Sequence, residues 1–263
     1  GCSSQTFPNG RRVRRTFGRK LMKIFSGTSN KPLASKIAKH LGLKLSPLEV
    51  FIFPDGEKRI RILDKVLDEH VVVVQTTSNP TDENYMELFF IIDALKRSGA
   101  KSIIVVIPYF GYQRQDHVFR EGEAVSAKVI AQILDTLGIS KLICVALHSL
   151  KIQESFGIAV SHLSAIQLFA EKIIDLGWDK NSTLVSPDMG GIRRIKKLSQ
   201  ILNNLPFAII EKNRDLASGA VSAEAIQGEI KKRVIIVDDM ISSGETIAKA
   251  SALLKQNGAE EIV

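Results

Sequence analysis

RVIIVDDMISSGETIAKASALLKQNGAEEIV, from Arg233 to Val263, writes out one structural unit in full. The apolar run RVIIV ends in two carboxylates and is followed by a loop of small and hydroxylated residues. An amphipathic segment then runs from Thr246 to Gln256 and stops before Gly258, where a further strand is due to begin. This is the order strand, loop, helix, with a glycine as the stop signal. The strand is apolar throughout rather than alternating, as in a mostly parallel sheet covered by helices on both faces.

The same plan extends outward along the chain. Short β-rich runs, MKIFS from Met22, VFIF, VVVVQT, SIIVVIP, KLICVA, TLVS and FAIIE, precede it. Between them, Tyr85, Leu88, Ile92 and Leu95 recur at helical spacing and end at Gly99 after Lys96 and Arg97. Further helices are predicted over Ala124 to Leu137, Ala165 to Leu176 and Gly191 to Leu202. A chain of 263 residues with 44% hydrophobic positions has material for two ordinary cores. The reading is α/β: two halves of similar plan, 22–160 and 161–263, each a mostly parallel sheet flanked by helices. Ligands of such sheets lie outside the C-terminal strand ends, so the loops after strands are where chemistry is sought.

Charge argues against a polynucleotide partner. The formal net charge is +8, yet Arg11, Arg12, Arg14, Arg15, Arg19 and Lys20 all lie in a leader, residues 1–21, that holds no acidic residue, which leaves the body only +2. A phosphate-tracking surface spreads its cations over the folded domain, so no nucleic-acid binding is expected. The leader is Arg-rich with helical apolar spacing, as an organelle transit peptide is, but it is read as a disordered or non-native extension because Met22 opens the first strand. Two cysteines, Cys2 and Cys144, allow neither a disulfide framework nor a cysteine metal cluster, and Cys144 inside LICVA reads as a buried thiol. No apolar run approaches membrane-spanning length. A cytoplasmic protein without a membrane partner is the expectation.

Within VIIVDDMISSGET each part has a physical task. Ser242, Ser243, Gly244, Glu245 and Thr246 form a loop whose backbone N–H groups and hydroxyls suit a phosphate, helped by the dipole of the following helix. Asp238 and Asp239 repel phosphate, so they suit sugar hydroxyls or a divalent cation. Phosphate on one side and a diol on the other describe ribose 5-phosphate. The segment resembles the phosphoribosyl-pyrophosphate loop of type I phosphoribosyltransferases and of ribose-phosphate pyrophosphokinases, which this motif alone does not separate.

The rest of the chain resembles the pyrophosphokinases in order and spacing: FPDGE (Phe53 to Glu57), NYMELFFIIDALKRSGAK (from Asn84), IPYFGYQRQD (from Ile107), SAK (Ser126 to Lys128) and SPDMGG (Ser186 to Gly191). The resemblance implies two phosphoribosyltransferase-like domains and transfer of the pyrophosphoryl group of ATP to the anomeric hydroxyl of ribose 5-phosphate. It implies ATP contacts at Phe53, Asp55, Gly56 and Glu57, reaching the adenine from a neighbouring subunit of a hexamer, and at Arg114, Gln115, Asp116 and His148. It implies Mg²⁺ at His148 and Asp188, and catalytic cations, Lys212 and Arg214, on a flap after FAIIE. Read without the resemblance, FPDGE is a plain turn and Lys212 with Arg214 an exposed charge pair. No GxxxxGK[ST] occurs, so an ATP site here is not a P-loop.

The chain departs from the family at Ala146, where an Asp is usual two residues before the His, at His117 where Arg or Lys is usual, and at Ser242 where Asp is favoured. The family also continues beyond GAEEIV, so the C-terminal domain is expected to be truncated. Two alternatives stay open: a phosphoribosyltransferase, and a catalytically weak pyrophosphokinase-like subunit.

Overall fold

The described residues of the computed structural model are 22–214 and 221–263, without the side chains of 212–214 and 221–224; the basic leader lies outside them. In chain order the elements are β1 (Met22–Ser26), α1 (Lys31–His40), β2 (Leu48–Ile52), β3 (Lys58–Ile62), β4 (His70–Val74), α2 (Thr81–Arg97), β5 (Ser102–Ile107), α3 (Ser126–Leu137), β6 (Lys141–Val145), β7 (Ala159–Leu163), α4 (Ile166–Asp175), β8 (Ser182–Ser186), α5 (Ile192–Ile201), β9 (Phe207–Arg214), β10 (Val221–Gln227), β11 (Arg233–Ile236), α6 (Glu245–Gln256) and β12 (Glu261–Ile262). The α/β alternation read from the sequence is present. Four elements were not foreseen: α1, β3, β7 and β10.

The strands form two five-stranded sheets, ordered β1-β4-β5-β6-β7 and β10-β9-β8-β11-β12, and one two-stranded sheet, β2-β3. Parallel pairing joins β1 to β4, β4 to β5, β8 to β9, β8 to β11 and β11 to β12, whereas β9 with β10 and β2 with β3 are antiparallel. The chain divides into two compact units. Among the described residues, one comprises 22–111 with Lys128–Ile143 and Ser155–Val160, the other Tyr112–Ala127, Cys144–Glu154, 161–214 and 221–263.

In the first unit, α1 begins where Asn30 caps it, its side chain accepting the Leu33 N–H at 3.2 Å, with Pro32 in the first turn. Its Ala34 and Ala38 pack on Ile24, Val72 and Val74 of β1 and β4. In the second unit both sheet faces are covered. Leu184 and Ile235 pack under Ile173 of α4 and Ile195 and Leu198 of α5, while Val185 and Val234 pack against Ala250 and Leu254 of α6. Each fully buried aliphatic side chain contributes about 1.5–3 kcal/mol, and two covered faces explain why RVIIV carries no polar alternation. Cys144 is buried in β6, and burial pushes its thiol pKa up to about 12.

Candidate functional site

Beyond the end of β11 the chain stays in the sheet for one more bond, Val237 N–H to Val185 O at 2.9 Å, and then delivers Asp238 and Asp239. Both carboxylates meet one guanidinium: Arg194 Nη1 lies 3.1 Å from Asp238 Oδ1 and Nη2 2.9 Å from Asp239 Oδ1. His148 Nδ1 donates to the other oxygen of Asp239 at 2.8 Å, and the backbone N–H of His148 is held by Gln113 Oε1 at 2.9 Å. Two carboxylates, a guanidinium and an imidazole thus interlock. Burial, and the like charge beside it, raise the Asp238 carboxyl above the usual range. Burial acts on Asp239 as well, but the His148 and Arg194 contacts override it and hold that carboxyl low. The same Asp239 bond raises the His148 pKa.

Met240 to Thr246 then turns into α6. Gly244 has φ of +80°, the left-handed region that glycine enters freely, and a side chain there would meet nothing within 4 Å, so backbone conformation and not space requires glycine. Gly244, the N-cap of α6, has no side chain to cap the helix, and the Glu245 N–H donates to Ser243 Oγ at 3.4 Å; a helix start of this kind is a favourable seat for an anion. Asp238, Asp239, Ser242, Ser243, Gly244, Glu245 and Thr246 line one cavity of about 450 Å³, and Arg114, His148, Asp188 and Arg194 line it too. Asp188 is aimed by its own turn, its Oδ1 accepting the N–H groups of Gly190 at 2.9 Å and Gly191 at 3.3 Å.

Other expected residues lie elsewhere. Phe53, Asp55, Gly56 and Glu57 occupy the β2–β3 turn of the first unit. That turn is closed by Phe53 N–H to Glu57 O at 2.8 Å, Gly56 N–H to Phe53 O at 2.9 Å and Glu57 N–H to Asp55 Oδ1 at 3.1 Å. The exposed rings of Phe51 and Phe53 meet edge to face, centroids 5.0 Å apart, with the Arg59 guanidinium 4.9 Å from the Phe51 centroid and 5.8 Å from that of Phe53. Gln115 and Asp116 are not among the cavity-lining residues. Burial works against the Asp116 charge, but hydrogen bonds from His117 and Ser149 keep its pKa low.

A model of the N-terminal domain of ribose phosphate pyrophosphokinase matches residues 22–138, and a phosphoribosyl transferase domain model matches 155–263. Ribose-phosphate pyrophosphokinase 2 of Enterococcus faecalis is 41% identical, the alignment covering 92% of this chain and 75% of that protein. The chain belongs to the ribose-phosphate pyrophosphokinase family. Ribose-phosphate pyrophosphokinase of Thermotoga maritima is 39% identical over 92% of this chain and 77% of its own. The crystal structure of phosphoribosylpyrophosphate synthetase from Mycobacterium smegmatis superposes with a TM-score of 0.86 at 33% identity, covering 92% of this chain and 79% of that one.

The sequence reading ends the strand at FAIIE, and the structure extends it. Lys212 and Arg214 are not in a loop after FAIIE, because β9 runs through Arg214, with Lys212 opposite Glu224 and Arg214 opposite Val221 on β10. Charged residues on a strand with one antiparallel neighbour imitate a loop in composition. Their side chains lie outside the described residues. Two site residues escaped the sequence reading, Arg194 and Gln113. A signal for Arg194 existed: Arg193 and Arg194 open α5, where the helix dipole disfavours cations, and such a placement calls for a carboxylate partner. Gln113 gave none. Ala146, two residues before His148, has φ of +48°, a left-handed conformation that suits Gly, Asn or Asp better than Ala. Among the described residues no helix is long and apolar enough to cross a membrane.

Proposed function

We propose that the chain carries the pyrophosphoryl group of ATP to the anomeric hydroxyl of ribose 5-phosphate, giving phosphoribosyl pyrophosphate and AMP. The observation that carries this reading is that the start of helix α6 and a carboxylate pair line one and the same cavity. The 5-phosphate seats on the N–H groups and hydroxyls of Ser242 to Thr246. Asp238 and Asp239 accept hydrogen bonds from the ribose hydroxyls and so orient the sugar. With Nδ1 committed to Asp239, His148 has Nε2 left for the nucleotide phosphates, beside Arg114. The anomeric oxygen then attacks the β-phosphorus in line and AMP departs. Phosphoryl chemistry of this kind asks a protein mainly for alignment and for neutralisation of spreading negative charge, a task we give to Lys212 and Arg214.

Mg²⁺ suits the residues present. No group of three or more His, Cys, Asp or Glu gathers into a metal cluster among the described residues, but Mg²⁺ needs only one or two carboxylates alongside substrate phosphates. Asp188 would anchor it, next to His148, and the bound ion would neutralise phosphate charge. We assign the FPDGE turn to the adenine of a neighbouring subunit in a homo-oligomer, consistent with the exposure of Phe53 and with its place outside the cavity lining.

Incubation with ATP, Mg²⁺ and ribose 5-phosphate should release AMP. Consumption of phosphoribosyl pyrophosphate with a nitrogenous base and no AMP would instead indicate a phosphoribosyltransferase. Lys212→Ala should lower kcat by about 10²–10³ while nucleotide affinity, measured by calorimetry, stays within about threefold. Thermal midpoints of both proteins are compared first, and unchanged turnover would remove Lys212 from the mechanism.

A further inference from the structure

The strand KRIRI alternates, with Ile60 and Ile62 half-buried and Arg59 and Arg61 exposed. By this alternation position 58 falls on the inward side, and it holds a lysine. Its side chain is only 12% exposed, and Nζ lies 3.4 Å from Glu87 Oε2 and 3.7 Å from Glu83 Oε2 on α2, and donates to Glu83 O at 3.3 Å. Glu87, whose side chain is 1% exposed, is saturated on its other sides. It accepts the Thr28 N–H at 2.6 Å, the Thr28 hydroxyl at 2.8 and 2.9 Å, and Gln75 Nε2 at 3.2 Å. One buried carboxylate therefore ties four elements together: the loop after β1, the end of β4, helix α2 and, through Lys58, strand β3.

The mechanical meaning follows from the sheet. β2 and β3 pair only with each other, and a lone two-stranded hairpin is marginal in water, so where its tip sits depends on what anchors it. Lys58 pairs with Ile52 in the register and directly follows Glu57, so this anchor lies where the closed FPDGE turn joins its strands. A buried charge pair is costly to misplace and so favours one arrangement over its neighbours.

We infer that Lys58 is a positioning residue that, through Glu87, holds the FPDGE turn where it meets the adenine, acting on nucleotide affinity and not on the chemical step. The inference rests on the adenine reading of that turn given above. On the full chain, Lys58→Met should raise KM for ATP about tenfold while kcat and KM for ribose 5-phosphate stay within about twofold, and Lys58→Arg should restore most of the loss. The double variant Lys58→Met/Glu87→Gln, which leaves no unpaired buried charge, should show the same split and guards against simple misfolding of the single one. Phe53→Ala separates the two claims. If it leaves KM for ATP unchanged, the adenine reading falls and this inference with it. If it raises KM for ATP while the Lys58 variants change only the thermal midpoint, or both KM values alike, Lys58 is structural and the inference alone is overturned.

Discussion

Two polar clusters occupy matching places in the two units, each beyond the C-terminal ends of neighbouring parallel strands. In the first unit, Thr28 and Ser29 follow β1 and Gln75 follows β4; with Glu87 and Lys58 they bond to one another and leave no room. A side chain at Gly27 would come 2.1 Å from Gln75 Oε1 and 2.8 Å from Glu87 Oε1. In the second unit, Asp188 follows β8 and Asp238 and Asp239 follow β11, and there the same kind of residues border a cavity of about 450 Å³. The strand end supplies polar groups in both cases. What differs is whether those groups are used up on each other. One cluster braces the fold, and the other keeps bonding capacity for a ligand. Both clusters place a glycine where contact is tight, Gly27 in one and Gly191, 2.2 Å from Ser186 Oγ for an added side chain, in the other, and two residues before His148 the chain also holds Ala146 in a left-handed conformation.

If this division holds, substitutions in the open cluster cost turnover, whereas those in the closed cluster cost stability or, through Lys58, nucleotide affinity, and leave turnover intact. The largest effect should come from Asp238→Asn with Asp239→Asn, which should lower kcat/KM for ribose 5-phosphate by about 10³, far more than for ATP, with little change in thermal midpoint. Equal losses for both substrates, or a collapse of the thermal midpoint, would break the comparison. Gly27→Ala should do the reverse: about 2–3 kcal/mol less stability in denaturant unfolding, with the kcat of the folded fraction unchanged. A well-folded Gly27→Ala protein with impaired turnover would mean that the closed cluster also serves catalysis. The smallest expected effect is at Ala146→Gly, where relief of the left-handed backbone, less the entropy that glycine loses, should add about 0.5–1 kcal/mol in the same assay. A loss of stability there would show that the alanine methyl group is needed for packing.

The second unit was the more legible in sequence. RVIIVDDMISSGET sets a continuous apolar strand, a small-residue loop and an amphipathic helix in a row, and the structure places all seven residues expected to hold the sugar phosphate around one cavity. The first unit hid more. Helix α1 passed unread although Asn30 and Pro32 signal its start and Leu33, Ala34, Ile37 and Ala38 recur at helical spacing; its buried residues are two alanines, a faint signal in a segment with three lysines. Strand β3 passed because charges at three of its five positions disguise a period of two. The outer part of β9 is polar in sequence and β10 is made mostly of small residues, and their pairing depends on a register that no local pattern encodes. Arg194 shows the remaining limit. Its helix position hinted that a carboxylate was near, but only the pairing of β8 with β11 shows which carboxylates those are.

Cys144 gives the molecule a clock. A thiolate, not a thiol, reacts with alkylating agents and oxidants, and a group buried in β6 with its pKa near 12 supplies almost none while the sheet is closed. Alkylation of Cys144, read apart from that of Cys2, therefore counts openings of the sheet. The strand that carries it leads within two residues to Ala146 and within four to His148. Whatever loosens that approach to the cavity is recorded in the chemistry of one sulfur atom.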